Sequence, residues 1–245
     1  MTEGNYLLPM TPSTTALVTG ATHGIGRATA FVLGRAGYRI GVCARTESGV
    51  AALVEELRGV GIEAAGRAGD VARPGDASAI VEHVAAALGQ IGVLVNNAGV
   101  LIARPIADLT LEDWDLTMAT NLRSLFLMTR AVLPPMREKG RGDIVNVASL
   151  AARNGFVGGT AYTASKHAVL GFGRSLMLEL RKEGIRVITI CPGSVDTGLL
   201  RGQPMLKSDP ERILQAADVA ESILHALRLP LRALVSEVDL RPTNP

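Results

Sequence analysis

A tyrosine and a lysine four residues apart, Tyr162 and Lys166, are the pair in this chain best suited to moving a proton. They belong to the stretch SLAARNGFVGGTAYTASK, which opens on Ser149 and runs, from Thr163 onward, into the helical pattern AVLGFGRSLMLEL. Positions i and i+4 share a helix face, so phenol and ammonium are expected side by side. A neighbouring ammonium favours the phenolate and draws its pKa from about 10 toward working pH. A phenol tuned in that way can pass a proton to or from an oxygen during reaction. The spacing alone is common, and an exposed tyrosine beside a solvated lysine would look the same. The surrounding elements must decide.

Near the start of the chain, Thr15 to Thr19 is a short apolar run that reads as a buried strand. The glycine-rich GATHGIG follows it, and then a helical pattern, RATAFVLGRAG. Strand, glycine turn and helix in that order form a phosphate-binding unit, in which the helix N-terminus presents amide groups to an anion. Gly20 would allow the tight turn, Gly24 the approach of a pyrophosphate and Gly26 a close helix–strand contact. Thr22 and Ile25 belong to the same turn, and His23 is either a second phosphate contact or a plain loop residue. The spacing has one residue more than the commonest dinucleotide fingerprint, so a generic turn stays open. The next strand, Arg39 to Cys43, ends in Ala44 and Arg45, with no carboxylate before Glu47. An acid there would bind a ribose 2′-hydroxyl, whereas arginine suits a 2′-phosphate. The expected cofactor is NADP(H), with NAD(H) as the alternative if Arg45 is only solvated.

The remaining chain alternates strand and helix. IEAAGRAGDV reads as a third strand with Asp70 at its end, and Pro74 to Leu88 as a helix opening on proline. IGVLVNNAGV reads as a fourth strand running into the Asn96–Gly99 turn. Thr110 to Met136 has a long helical pattern that Pro134 and Pro135 should end, with Asn121 inside it. An asparagine in mid-helix asks for a reason: a kink, a water site or a polar neighbour. GDIVNVAS is a fifth strand delivering Ser149, and GIRVITICPG a sixth ending in Pro192 and Gly193. Ser194 to Ile213, with Leu199, Leu200, Met205 and Leu206, reads as a lid with apolar teeth. Asp218 to Arg228 is a helix, and ALVSEVDL a seventh strand. The pattern implies one α/β domain over 1–245, a doubly wound parallel seven-stranded sheet with helices on both faces. In such sheets ligands bind at the carboxyl ends of the strands, where the glycine turn, Asn97, Ser149 and Pro192 all fall.

Composition agrees with this. The chain has 245 residues, 47% of them hydrophobic but only 3% aromatic, so the core must be built from aliphatic side chains. A net charge of +2 carries no nucleic-acid footprint, and neither a polybasic run nor a basic amphipathic helix suggests a membrane surface. The N-terminal stretch is not a secretory signal, and no apolar run reaches transmembrane length. Cys43 and Cys191 sit in separate apolar runs and are expected as buried free thiols in a cytoplasmic protein. With neither CxxC nor HExxH, no metal site is expected.

Over almost its whole length the chain resembles the short-chain dehydrogenase/reductase family. It shares TGATHGIG, NNAG, Asn121, Ser149, YTASK and PGSVDT, in order and at family-like spacing. The resemblance implies hydride transfer between a nicotinamide cofactor and a carbonyl/alcohol pair. Tyr162 would be the acid in reduction and the base in oxidation, and Ser149 would hold the substrate oxygen. Lys166 would bind the nicotinamide ribose and lower the phenol pKa, and Asn121 would complete a relay through a bound water. Asp70 and Val71 would flank the adenine, Asn97, Ala98 and Gly99 the adenosine side. Pro192, Gly193, Val195 and Thr197 would seat the nicotinamide end. The family also implies a homodimer or homotetramer built through the helices around Asn121 and Lys166. The ending, RALVSEVDLRPTNP, resembles reductases of hydroxy acids, pterins or general carbonyls more than those of fatty-acid synthesis. Arg153, four residues after Ser149, could meet a substrate carboxylate or simply face solvent.

Overall fold

A computed structural model describes residues 14–203 and 209–243. Seven parallel strands form one sheet in the order β3-β2-β1-β4-β5-β6-β7. They are β1 (Thr15–Thr19), β2 (Arg39–Ala44), β3 (Ala64–Ala68), β4 (Ile91–Asn96), β5 (Gly142–Val147), β6 (Ile185–Pro192) and β7 (Glu237–Leu240). Alternate side chains of a strand point to opposite faces, and the core divides accordingly. Ala16 and Val18 of β1 pack with α1 (Gly24–Arg35), α2 (Glu47–Gly59) and α8 (Ala216–Arg228). Leu17, between them, packs on the opposite face with α3 (Pro74–Leu88), α5 (Ser124–Lys139) and α6 (Thr160–Leu180). The chain winds outward from β1 to β3 and crosses back to β4, so a crevice opens between the carboxyl ends of β1 and β4. Cys43 and Cys191 are both buried free thiols.

The predicted helix from Thr110 to Met136 is resolved differently. α4 (Leu111–Met118) passes into a π-helical turn, Ala119–Arg123, before α5 begins. Pro134 and Pro135 do not end α5; they lie inside it, and the helix continues to Lys139 and a left-handed Gly140. Each proline removes an amide donor, and Pro134 is exposed, so water can serve the carbonyl left without a helical partner. The helix bearing Tyr162 begins at Thr160, three residues earlier than its polarity implied. The last strand is confined to Glu237–Leu240, because only that stretch pairs with β6. Within the lid segment, Gly198–Arg201 forms a short helix, α7, while Met205 and Leu206 lie outside the described residues.

Candidate active site

β5 ends at Val147, and the chain turns into a short 3-10 segment, Leu150–Ala152, capped by Ser149, whose Oγ accepts from Ala151 N at 3.1 Å. That turn sets the hydroxyl at the sheet's carboxyl edge, facing α6. On α6, Tyr162 is 8% exposed and Lys166 5%. The Lys166 Nζ donates to the Val147 carbonyl at 3.0 Å and stands 5.6 Å from the centre of the Tyr162 ring. The i,i+4 placement therefore holds, but the electrostatics differ from expectation. Burial pushes the Tyr162 phenol above its ordinary value of 10, and a hydrogen bond with Ser149 offsets this only in part. The same burial draws Lys166 down to about 8, because a charged amine is poorly solvated there. In the protein alone, desolvation dominates the phenol's shift.

Asn121 is fully buried in the π turn. Its Oδ1 accepts from Val100 N at 2.7 Å, while Nδ2 donates to Val100 O at 2.9 Å and to Ser165 Oγ at 3.0 Å. Ser165 Oγ in turn donates to Tyr162 O at 2.7 Å. The side chain thus ties the loop after β4 to the tyrosine helix. The kink and the polar neighbours both account for an asparagine at this position, and any proton relay must use its main chain, because both side-chain donors are taken.

The glycine turn is held to β4 by Asn97. Its Nδ2 donates to Thr19 O at 2.9 Å and Gly20 O at 3.2 Å, and the Asn97 and Ala98 amides both donate to Thr19 Oγ1 at 3.0 Å. Gly20 (φ 61) and Gly24 (φ 52) take left-handed backbone that only glycine adopts without strain. A Cβ on Gly26 would collide with the Asn97 amide and the Gly20 carbonyl. The first turn of α1 has no acidic residue and its N-cap, His23, makes no side-chain cap bond, so the amides and positive dipole end face outward. A Cβ on Gly24 would come within 3.0 Å of Thr197 across the gap, filling space a pyrophosphate needs. Exposed Arg45 stands just past β2, beside Thr46, and Thr22 and Thr46 converge on Gly49, both within 3.4 Å of a Cβ built there. The Thr46 hydroxyl beside an arginine suits a 2′-phosphate, so these residues fit a phosphorylated dinucleotide. His23 is exposed and pairs with Thr22 at 2.9 Å. Asp70 Oδ1 accepts from Ala72 N at 2.9 Å, and the Val71 side chain is buried in the core, leaving its main chain for an adenine.

A cleft of about 810 Å³ joins these parts. Ile25, Asn97, Gly99, Ser149, Tyr162, Lys166, Pro192, Gly193, Val195 and Thr197 line it, together with Leu199 and Leu200. Asn121 stands behind it, while Arg45, Asp70 and His23 are absent from its lining. Among the lining residues not anticipated are Val100, Leu101, Leu150, Asn154 and, from the far end of the chain, Arg241 and Pro242. Phe156 packs edge-on to Tyr162, with ring centroids 6.2 Å apart. Gln203 bridges the segment after β6 to the loop after β4, accepting from Ala103 N at 3.0 Å and donating to Leu101 O at 2.8 Å. Arg153 faces neither substrate nor open solvent. It is paired with Glu237 and, at 3.2 Å, with Asp239 of β7.

The sequence pattern described as short chain dehydrogenase matches residues 14–205. The chain belongs to the short-chain dehydrogenase family. As a member it is an oxidoreductase of the carbonyl/alcohol pair, and its relatives sharpen that description. A protein of Streptomyces virginiae named as the ketoacyl reductase of the monensin polyketide synthase is 50% identical over 192 residues, covering 77% of this chain and 74% of the relative. A variant of actinorhodin polyketide ketoreductase, crystallised with NADPH, superposes with a TM-score of 0.88 at 36% identity, over 96% of this chain and 98% of that one. A metagenomic short-chain oxidoreductase in complex with NADP gives 0.83 at 35%, over 95% and 98%. This chain carries serine, tyrosine and lysine on the cleft at the carboxyl edge of the sheet.

Proposed function

We propose that the protein uses NADPH to reduce the ketone of a β-keto acyl thioester or a closely related carbonyl compound. The observation that carries this reading is the convergence of the Ser149 hydroxyl, the Tyr162 phenol and the Lys166 amine on one apolar-walled cleft. The names of the relatives support an acyl substrate, and so do walls built from Val100, Leu101, Leu150, Phe156, Leu199 and Leu200. This choice runs against the ending of the chain, whose likeness is to reductases of other carbonyls. The glycine turn would hold the pyrophosphate, Arg45 and Thr22 the 2′-phosphate, and Pro192 to Thr197 the nicotinamide end. NADPH, when bound, supplies the hydride. Ser149 orients the substrate oxygen toward Tyr162, and the phenol, protonated throughout the neutral range because burial raises its pKa, gives that oxygen its proton. Lys166, largely charged below about pH 8, stabilises the phenolate left behind.

Replacing Tyr162 by Phe tests this. Turnover of acetoacetyl thioesters should fall by roughly 10²–10⁴-fold with NADPH binding retained; unchanged turnover would exclude the phenol as acid. Arg45→Asp should reverse a preference for NADPH over NADH in kcat/KM, and a preference left intact would remove Arg45 from the 2′-phosphate site. We also propose that the segment 194–213 covers bound substrate, a role supported by the Gln203 bridge and by Leu199 and Leu200 on the cleft. Exposed Leu111, Leu116, Phe126 and Leu178 on α4, α5 and α6 support a homodimer or homotetramer, which light scattering would resolve. Two unpaired, buried thiols support a cytoplasmic site of action.

A further inference from the structure

Among the described residues that line the cleft, only two side chains carry charge: Lys166 at its floor and Arg241 at its rim. Arg241 is the first residue after β7. Its place is fixed by the strand behind it, where Gly193 N donates to Leu240 O at 2.9 Å, and by Pro242 after it, which restricts its backbone to extended conformations. The guanidinium is 58% exposed, and its carboxylate neighbour, Asp239, lies 3.9 Å away, outside hydrogen-bond range. That contact is a long ion pair to Asp239 Oδ2, while Oδ1 of the same carboxylate accepts from Arg153 Nε and Nη2 at 3.3 and 3.2 Å. On the other side of Arg241 is a smaller hollow bordered by Glu211, Arg212 and Asp218. The Asp218 carboxylate there accepts from Gln215 N at 2.8 Å, and neither acid comes within ion-pair distance of Arg241. A planar fork of five donors therefore stands at the mouth of a cleft whose one other charged lining side chain, among the described residues, is Lys166, and apart from the long ion pair to Asp239 none of its donors is engaged among those residues.

We infer that Arg241 is a specificity residue that receives an oxyanion, phosphate or carboxylate, carried by the substrate at the end remote from its reacting carbonyl. The inference rests on the carbonyl-reductase reading, since it takes the substrate to have its ketone at Ser149 and Tyr162 and its other end at the rim. The charge is separate from the cofactor's phosphates, which belong to the glycine turn and Arg45.

The test compares wild-type protein with Arg241→Gln and Arg241→Lys on two matched pairs of substrates. Acetoacetyl-coenzyme A against acetoacetyl-N-acetylcysteamine isolates a phosphate, and keto acids of three chain lengths against their methyl esters isolate a carboxylate. In at least one pair, Arg241→Gln should raise KM for the anionic member by about fivefold with kcat held, leave the neutral member unchanged, and be partly rescued by Lys. The pair that responds identifies the anion. Equal effects on charged and neutral members, or none, in both pairs would overturn the inference while leaving the reductase reading intact. Calorimetric binding of each hydroxy acid and its methyl ester, with hydroxybutyryl-coenzyme A and its N-acetylcysteamine counterpart, gives a readout without turnover. Loss of turnover on every substrate would count against the reductase reading alone. Equal affinities for charged and neutral ligands, unaltered by Arg241→Gln, would count against Arg241.

Discussion

Lys166 carries a cost that the fold bears for the sake of chemistry. Its amine is 5% exposed, has a single carbonyl partner, and is drawn to about pKa 8 by burial. The unfolded chain binds that proton up to about pH 10.4, so below pH 8 both states are charged and the native state bears the full penalty. Between about 8 and 10.4 the unfolded state binds more protons, and stability from this group rises with pH. Lys166→Met should therefore raise stability at pH 7 by roughly 1–2 kcal/mol, the relieved charge burial less one lost hydrogen bond, while abolishing turnover. The gain should fade as pH rises through that window. Denaturant melts at pH 7 and pH 10 check this, and an equal gain at both would mean the charge is not what destabilises. Tyr162 and Lys166 were legible in the sequence because four residues on one helix is a local relation. The direction of the phenol's shift was not, because burial comes from Leu101, Ala151 and Phe156, brought in from elsewhere.

Among the elements, β7 does more than close the sheet's edge. Its Glu237 and Asp239 bind Arg153, which stands at the end of the 3-10 turn that Ser149 caps, and Glu237 also binds Arg174 of α6 at 2.6 Å. The strand thus braces both the serine turn and the tyrosine helix. Arg153→Met should lower stability by about 1–2 kcal/mol. Beyond that, it should reduce kcat/KM by roughly tenfold through misplacement of Ser149, with NADPH affinity unchanged. Full activity in a destabilised variant would confine Arg153 to stability. Nothing in the sequence reveals this arrangement, since Arg153 and Glu237 are 84 positions apart and meet only once β5, β6 and β7 are paired. The glycine turn was readable for the opposite reason: strand, turn and helix are consecutive, and Gly20 and Gly24 take left-handed backbone, although the close approaches of Asn97 and Thr197 to the turn were not. The seven parallel strands also followed from alternation, whereas their spatial order comes only from the structure, and the π turn showed in the sequence only as an asparagine out of place in a helix.

Across the whole molecule, stability and chemistry are placed at opposite ends of the sheet. At the amino edge, Asp143 and Arg186 face each other on β5 and β6 and pair at 2.6 Å. Arg186 continues to Leu227 O at 3.0 Å and Leu229 O at 2.9 Å, fastening the end of α8. Both side chains are nearly buried, so removing one partner strands the other's charge. Arg186→Met should cost about 3–5 kcal/mol, whereas kcat and KM of the protein that remains folded should not change. Altered kinetics would mean that the two ends communicate.

The π turn at Ala119–Arg123 can be viewed as a helix with one residue too many. Its extra residue interrupts the regular i→i+4 ladder and turns Asn121 inward to bind Val100 and Ser165. Deleting one amino acid there would restore an unbroken ladder from α4 into α5 and, by local criteria, give the better helix. Because the wider turn absorbs the extra residue, α4 and α5 would keep nearly their present phase, but the bulge that turns the asparagine toward both partners would be lost. Length variation should therefore be strictly excluded from this segment.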